Sequence, residues 1–214
     1  MSYSRFVVIV GLVAFLVVPA QADVLLSNLG EPVRDFNTLD SLLWAAQSFE
    51  TDANSYNLTN IMALVGGELG SSGGFAQLRS STATGDMDTS AGGLLLTFTL
   101  PGLAGARSPR TFTPIGALLL AASTRYYFVL GATGPGSFEW SYAEGNGSIG
   151  PGSFTQFEYT FDGGVNWGSF DNENPFHLQV NVTPEAVPEP SSSTLLFGSA
   201  MVLLLAGRRF AFRH

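Results

Sequence analysis

Short apolar runs separated by turn-forming residues dominate the sequence from residue 23 to residue 183, and this pattern restricts the fold most strongly. The runs are rich in β-branched and aromatic side chains, and clusters of glycine, serine, asparagine and aspartate end them. The 25 glycines and 11 prolines supply enough break points for many turns. No run between these residues offers three turns of clean helical periodicity. We therefore expect an all-β fold, a jelly-roll-like antiparallel β-sandwich, over residues 23–183.

The apolar runs also locate the individual strands. We expect strands at residues 24–29, 45–49, 57–65, 74–79, 94–100, 111–113, 118–122, 125–130, 138–142, 156–161 and 176–182. Residues 36–46 are the exception, because Leu39, Leu42 and Leu43 follow a helical rhythm that predicts either a short helix or a loop. Residues 64–74, rich in glycine and serine, are looser than expected between two core strands.

The first 22 residues have the pattern of an export signal. Arg5 and the amino terminus provide positive charge, and residues 6–18 form an apolar run. Ala20 and Ala22 supply the small-x-small pattern that signal peptidase requires, so cleavage is expected to leave Asp23 as the new amino terminus. An uncleaved membrane anchor is the alternative, which the short apolar run disfavours.

The carboxyl end combines three kinds of segment in a fixed order. They are the tripeptide Pro188, Glu189 and Pro190, an apolar run at 195–206, and the basic residues Arg208, Arg209 and Arg213. We expect residues 184–194 to form an extended linker and residues 195–214 a membrane anchor with a basic tail. The segment 191–207 would span about 25 Å as a helix, less than the roughly 30 Å of a bilayer core. Such a short span suits a temporary transmembrane helix, although an ordinary tail anchor remains the alternative.

This order of tripeptide, apolar run and basic end resembles the PEP-CTERM sorting signal of Gram-negative bacteria. The resemblance implies that an exosortase is the partner that recognises and processes the tail. It also implies an exported protein, held transiently in the inner membrane and then delivered to the cell envelope, the cell surface or the extracellular space.

A second resemblance covers residues 24–182. It rests on several strand motifs, namely Val24-Leu25-Leu26-Ser27-Asn28-Leu29, Trp44-Ala45-Ala46-Gln47-Ser48-Phe49, Tyr56-Asn57-Leu58-Thr59-Asn60-Ile61, Phe98-Thr99-Leu100-Pro101, Phe112-Thr113-Pro114 and the run 118–130. These motifs resemble the choice-of-anchor R domain, a secreted bacterial β-sandwich that occurs joined to various surface anchors. The resemblance implies no enzymatic activity, because none defines that family.

Charge and the absence of cysteine exclude several classes of function. The chain has no lysine and no cysteine, so disulfides and thiolate metal sites are excluded. Residues 23–189 hold five arginines and all 17 acidic residues, a net charge of 5 − 17 = −12. So negative a region repels polyanions, and we therefore exclude nucleic acid as a partner.

Few residues are suited to catalysis. The histidines are only His177 and His214, which leaves one candidate base and too few imidazoles for the common zinc sites. We interpret His177 as a surface or edge residue of the last strand, and we expect no enzyme. The alternative is a glycoside-cleaving site built from Glu139, Glu144 and Glu158, which lie in or near aromatic strands.

A carbohydrate contact and calcium are two further hypotheses. Trp140, Tyr142 and Trp167 could stack on sugar rings, as could Tyr159, although for each single ring alternation into the core is the favoured interpretation. The turns at residues 86–88, 162–164 and 171–174 offer oxygen ligands that suit calcium, but turn formation alone also accounts for these residues. No cofactor is otherwise expected.

These observations together predict an exported bacterial surface or extracellular-matrix protein. The expected role is structural or adhesive, in association with exopolysaccharide. A secreted carbohydrate-binding or glycoside-cleaving protein is the alternative.

Overall fold

The computed structural model describes residues 23–68, 73–171 and 173–185, which form 13 β-strands and one short 3₁₀ turn. The strands are β1 (Asp23–Ser27), β2 (Val33–Leu39), β3 (Trp44–Glu50), β4 (Tyr56–Glu68), β5 (Gly74–Ser80), β6 (Leu94–Thr99), β7 (Gly105–Pro114), β8 (Leu119–Leu120), β9 (Arg125–Ala132), β10 (Ser137–Ala143), β11 (Ser153–Thr160), β12 (Gly168–Asp171) and β13 (Leu178–Pro184). Within these ranges no helix has the length and apolar character needed to cross a membrane.

The strands form two antiparallel layers. One layer has the order β1-β13-β4-β7, with β10 alongside the far end of β4 and β2 beside β10. The other layer has the order β12-β11-β3-β9-β5-β6. The layers are continuous at one edge, where β6 pairs with β7 through Phe98 and Thr99.

The core lies between the two layers and is rich in aromatic rings. Phe128 of β9 meets Phe112 of β7 and Trp140 of β10, with ring centroids 5.3 and 5.9 Å apart. These contacts join the two layers face to face, as in a β-sandwich. Each ring of this kind stabilises the fold by about 1.5–3 kcal/mol through the apolar surface it removes from water.

The prediction of a helix or loop over residues 36–46 is wrong, because β2 and β3 occupy most of this segment. Asp40 explains the outcome: its Oδ1 accepts hydrogen bonds from the backbone N–H groups of Leu42 and Leu43, at 2.7 and 2.8 Å. This local turn reverses the chain between the two strands. The apparent helical rhythm is thus shared between a buried strand end at Leu39 and an exposed turn at Leu42.

The strand β4 extends further than expected, through Gly66 and Gly67 to Glu68. A Cβ atom on Gly66 would lie 2.6 Å from the Cα of Arg107, so only glycine permits the close approach of β7. Glycines that indicated a loop therefore belong to a strand. The short strand β12 was not expected at all.

Both ends of the described chain meet at one end of the sandwich. Asp23 at the start of β1 lies opposite Val182, close to the end of β13 at Pro184. The predicted signal cleavage residues Ala20 and Ala22 lie outside the described residues. So do Pro188, Glu189, Pro190, the apolar run 195–206, and Arg208, Arg209 and Arg213.

Candidate ligand-binding groove

An aromatic groove opens between the two layers, where β2 and β10 of one layer face β11 of the other. It has a volume of about 250 Å³ and is lined by Arg34, Asn37, Tyr142, Phe157, Tyr159 and Asn174. Cavities between packed sheets and at barrel mouths are common ligand sites when a few polar groups converge on apolar walls. This composition makes the groove the best candidate site in the described chain.

The aromatic wall of the groove continues onto the surface. Phe170 of β12 stacks on Phe157 at 5.4 Å with an interplanar angle of 9°, and it meets Tyr159 edge-on at 5.6 Å. Phe161 follows Tyr159 at 6.3 Å. Phe161 and Phe170 are 70% and 46% exposed, so a contiguous aromatic surface leads out of the groove.

Hydrogen bonds hold part of the polar lining in place. The side-chain amide of Asn37 donates to the Tyr159 hydroxyl, and the backbone N–H of Gly145 donates to Oδ1 of Asn174 at 3.3 Å. The Tyr142 hydroxyl, by contrast, has no hydrogen-bond partner among residues 23–68, 73–171 and 173–185. It is therefore available to a ligand.

Arg34 differs from the other arginines of the described chain. Arg79 and Arg110 donate to backbone carbonyls, and Arg107 and Arg125 lie 3.5 and 3.8 Å from glutamate carboxylates. Among these five described arginines, only Arg34 has neither a hydrogen bond nor an ion pair. Its guanidinium thus offers five donors at the groove.

Burial keeps Tyr159 uncharged. The pKa of Tyr159 is raised above its ordinary value of 10.0, chiefly by desolvation and secondarily by the nearby Tyr142. The hydroxyl therefore stays protonated at neutral pH and can donate a hydrogen bond.

Trp140 belongs to the core and is not a carbohydrate contact. Its side chain is completely buried, and its ring stacks on Phe176 at 4.2 Å with an angle of 23°. Its indole N–H donates to the backbone carbonyl of His177 at 3.1 Å. No face of the ring remains open for a sugar.

Trp167 lies in a different place from Tyr142. It lines a cavity of about 40 Å³ together with Trp44 and Gly164, and its indole N–H donates to the Gly164 carbonyl at 3.1 Å. A space of this size holds about one water molecule and no sugar ring. Of the three predicted contacts, only Tyr142 therefore lines the aromatic groove.

The interpretation of His177 as a surface or edge residue is wrong. The side chain is fully buried, and its Nδ1 lies 2.9 Å from the backbone carbonyl of Asn28. Nε2 is buried without a hydrogen-bond partner in the described part of the chain. Burial lowers the pKa of His177 below its ordinary value of 6.5, so the ring is neutral at neutral pH in the folded protein.

The three glutamates of the glycosidase hypothesis are not assembled into one site. Glu158 on β11 is 2% exposed, and its Oε1 accepts from the backbone N–H of Met87 at 3.0 Å. Glu139 on β10 faces Arg107, and Glu144 is exposed beyond the end of the same strand. None of the three lines the aromatic groove.

Two of the three turns proposed for calcium, at residues 86–88 and 162–164, use a carboxylate within the turn. Asp162 accepts hydrogen bonds from the backbone N–H groups of Val165 and Asn166 and from the Thr160 hydroxyl. These bonds, that of Asn166 first, lower its pKa to about 2. Asp88 likewise caps the backbone N–H of Ser90. No three His, Asp or Glu side chains of the described residues converge as metal ligands.

A larger cavity lies elsewhere, at the end of the sandwich where the described chain begins and ends. It has a volume of about 780 Å³ and is lined by residues that include Asp23, Tyr56, Pro151 and Glu185. The described residues that line it include carboxylates but no basic side chain and only one aromatic ring, that of Tyr56. It thus lacks the stacked rings and free donors of the aromatic groove.

No protein-family model matches this chain, and no curated protein is significantly similar to it.

Sequence reasoning identified the aromatic strand β11 but missed most of the groove. Arg34 and Asn37 lie on β2, in or beside the segment expected to be a helix or loop. Phe170 lies on the unexpected strand β12. The spacing of Phe157 and Tyr159, two residues apart on one strand face, is a signal that could have indicated the aromatic wall.

Proposed function

We propose that this chain is an exported bacterial surface or extracellular-matrix protein, sorted through its PEP-CTERM-like tail by an exosortase. In this proposal the tail holds the protein transiently in the inner membrane before transfer to the cell envelope, the surface or the exterior. The domain has a structural or adhesive role in association with exopolysaccharide and is not an enzyme.

The observation that best supports this proposal is where the sandwich begins and ends. Among the described residues, the first strand starts at Asp23, directly after the proposed signal cleavage, and the last strand ends at Pro184, before the tripeptide. Processing at both ends would therefore remove none of the 13 described strands. The two ends also lie together, so one end of the domain would face the membrane and the other would point away.

We further propose that the sandwich is a jelly roll of the choice-of-anchor type. The four-strand orders β1-β13-β4-β7 and β3-β9-β5-β6 support this, because they interleave early and late strands as two Greek keys do. The strands β2, β8 and β10 to β12 are then additions to this framework. The groove uses three of these additions, with rings and polar groups from β2, β10 and β11.

The sorting proposal is tested by the fate of the tail in cells that carry the sorting system. Glu189→Ala should abolish tail removal and leave the protein in the inner membrane, since the tripeptide would lose its only charged group. Glu185→Ala, which removes a nearby charge outside the tripeptide, is the matched control and should be processed normally. Normal processing of the Glu189 variant would contradict the proposal.

A further inference from the structure

We infer that the aromatic groove between β2, β10 and β11 binds a sugar ring of an uncharged polysaccharide. This inference deepens the proposed association with exopolysaccharide and rests on that proposal for the source of the ligand. The apolar face of the sugar would lie against the rings of Tyr142, Phe157 and Tyr159. The guanidinium of Arg34 and the hydroxyl of Tyr142 would bond its hydroxyl groups.

The size of the groove favours one sugar unit with its neighbours outside. A volume of about 250 Å³ is below the roughly 300–1,000 Å³ of sites that enclose a drug-sized ligand. A chain can nevertheless continue over the exposed rings of Phe170 and Phe161, which extend the same wall onto the surface. This shape suits a polymer better than an isolated small molecule.

The unsatisfied polar groups of the groove favour a ligand rich in hydroxyls. Arg34 offers donors, the Tyr142 hydroxyl both donates and accepts, and neither has a partner within the described ranges. Asn37 and Tyr159 are already bonded to each other, which fixes the ring of Tyr159. The groove is therefore held in shape on one side and open for hydrogen bonding on the other.

Charge favours an uncharged polymer over an acidic one. The region 23–189 carries a net charge of 5 − 17 = −12, which repels a polyanion approaching from solution. Asp35 on the same strand as Arg34 adds local negative charge. The single charge of Arg34 does not reverse this negative potential. The hydrogen bonds that Arg34 can donate to sugar hydroxyl groups do not require a positive potential.

The test is affinity electrophoresis of the full chain, purified in a mild detergent, through gels that contain a soluble polysaccharide. The uncharged probes are hydroxyethyl cellulose, dextran and galactomannan, and the acidic probe is alginate. We expect retardation by at least one uncharged probe and none by alginate. Failure of all three uncharged probes to retard the protein would overturn the inference, as would retardation by alginate that is lost in Arg34→Ala.

Substitutions in the groove test whether the polysaccharide binds there. Tyr142→Ala and Arg34→Ala should each weaken binding by about tenfold or more, and Tyr142→Phe, which keeps the ring, by less. Arg110→Ala and Trp167→Ala are the matched controls outside the groove and should bind as the unaltered chain does. Equal retardation of groove and control variants would overturn the inference. Thermal melting of each variant identifies any that fails to fold.

The same experiment separates this inference from the sorting proposal. The Glu189→Ala chain should bind polysaccharide normally even though its tail is retained. Binding that is lost in Arg34→Ala while sorting is intact would assign adhesion to the groove alone. Normal sorting with no polysaccharide binding would contradict the inference that the groove binds a sugar, without contradicting the sorting proposal.

Discussion

Trp140 and Tyr142 lie two residues apart on the same face of β10, yet one belongs to the core and the other to an open groove. Trp140 is covered by Phe128 from the opposite layer, whereas Tyr142 lines a cavity with Phe157 and Tyr159. Phe176 touches both regions, stacking on Trp140 at 4.2 Å and meeting Tyr142 at 6.2 Å. The core and the groove are thus parts of one continuous cluster of aromatic rings, which is buried around Trp140 and open around Tyr142.

The difference arises from how far the opposite layer extends. The strands β3, β9 and β5 cover the centre of the sandwich, but beyond β11 the layer ends in the four-residue strand β12. Alternation along a strand specifies which face a side chain takes. Alternation does not specify whether another strand covers that face. Whether the face is covered decides if an aromatic ring is buried in the core or is accessible to a ligand.

The largest expected effect distinguishes the closed region from the open one. Trp140→Ala should lower the free energy of unfolding by about 3–5 kcal/mol, because it leaves a cavity in the core and removes the bond to the His177 carbonyl. Urea denaturation monitored by circular dichroism measures this loss. Tyr142→Ala is the matched variant and should cost clearly less. Equal losses in the two variants would contradict the division into core and groove.

Glu158 offers the next test, since we assign it a structural role and no catalytic one. Glu158→Ala should lower the free energy of unfolding by about 1–3 kcal/mol, because the backbone N–H of Met87 loses its buried acceptor. The exposed Glu144→Ala should change stability by less than about 0.5 kcal/mol. Urea denaturation again gives both values. A Glu158 variant as stable as the Glu144 variant would refute the assignment.

The buried His177 beside Trp140 predicts a pH dependence of stability. Its folded-state pKa is lowered from 6.5, so the unfolded chain takes up a proton at a higher pH than the folded protein does. The contribution of neutral His177 to the free energy of unfolding is therefore fully present above pH 6.5. It is lost as the pH falls from 6.5 toward the folded-state pKa. Denaturation at pH 7.5 and pH 5.5 should show lower stability at pH 5.5. His177→Gln should reduce this difference, and an unchanged difference would contradict the assignment.

The smallest expected effect concerns Asp162, in the exposed turn beyond Tyr159. Its carboxylate has a pKa of about 2, lowered by hydrogen bonds from the turn. Its contribution to stability is present above its ordinary value of 3.8 and is lost as the pH falls toward 2. Nuclear magnetic resonance titration should find a midpoint near 2 without calcium. A midpoint near 4, lowered only when calcium is added, would favour the calcium hypothesis instead.

Most strands could be predicted from sequence, because apolar runs and turn residues are local signals. The predicted run 74–79 closely matches β5, and the predicted run 138–142 closely matches β10. The extension of β4 through Gly66 could not be predicted, because it depends on how closely β7 approaches in space. The turn at Asp40 could not be recognised from sequence either, because the spacing of Leu39, Leu42 and Leu43 also fits a helix.

The groove was far less predictable than the fold. Tyr142 and Trp140 carry the same local signal, and only the position of the opposite layer separates them. The absence of a partner for Arg34 within the described chain depends equally on residues distant in sequence. Buried His177 could not be recognised from its neighbours, because Asn28, which holds its ring, lies 149 residues away.

The intact mass of the protein recovered from native cells tests the central claim of surface delivery most directly. The account predicts a chain that begins at Asp23 and lacks the basic end with Arg208, Arg209 and Arg213. A soluble intracellular chain that runs from Met1 to His214 would contradict it.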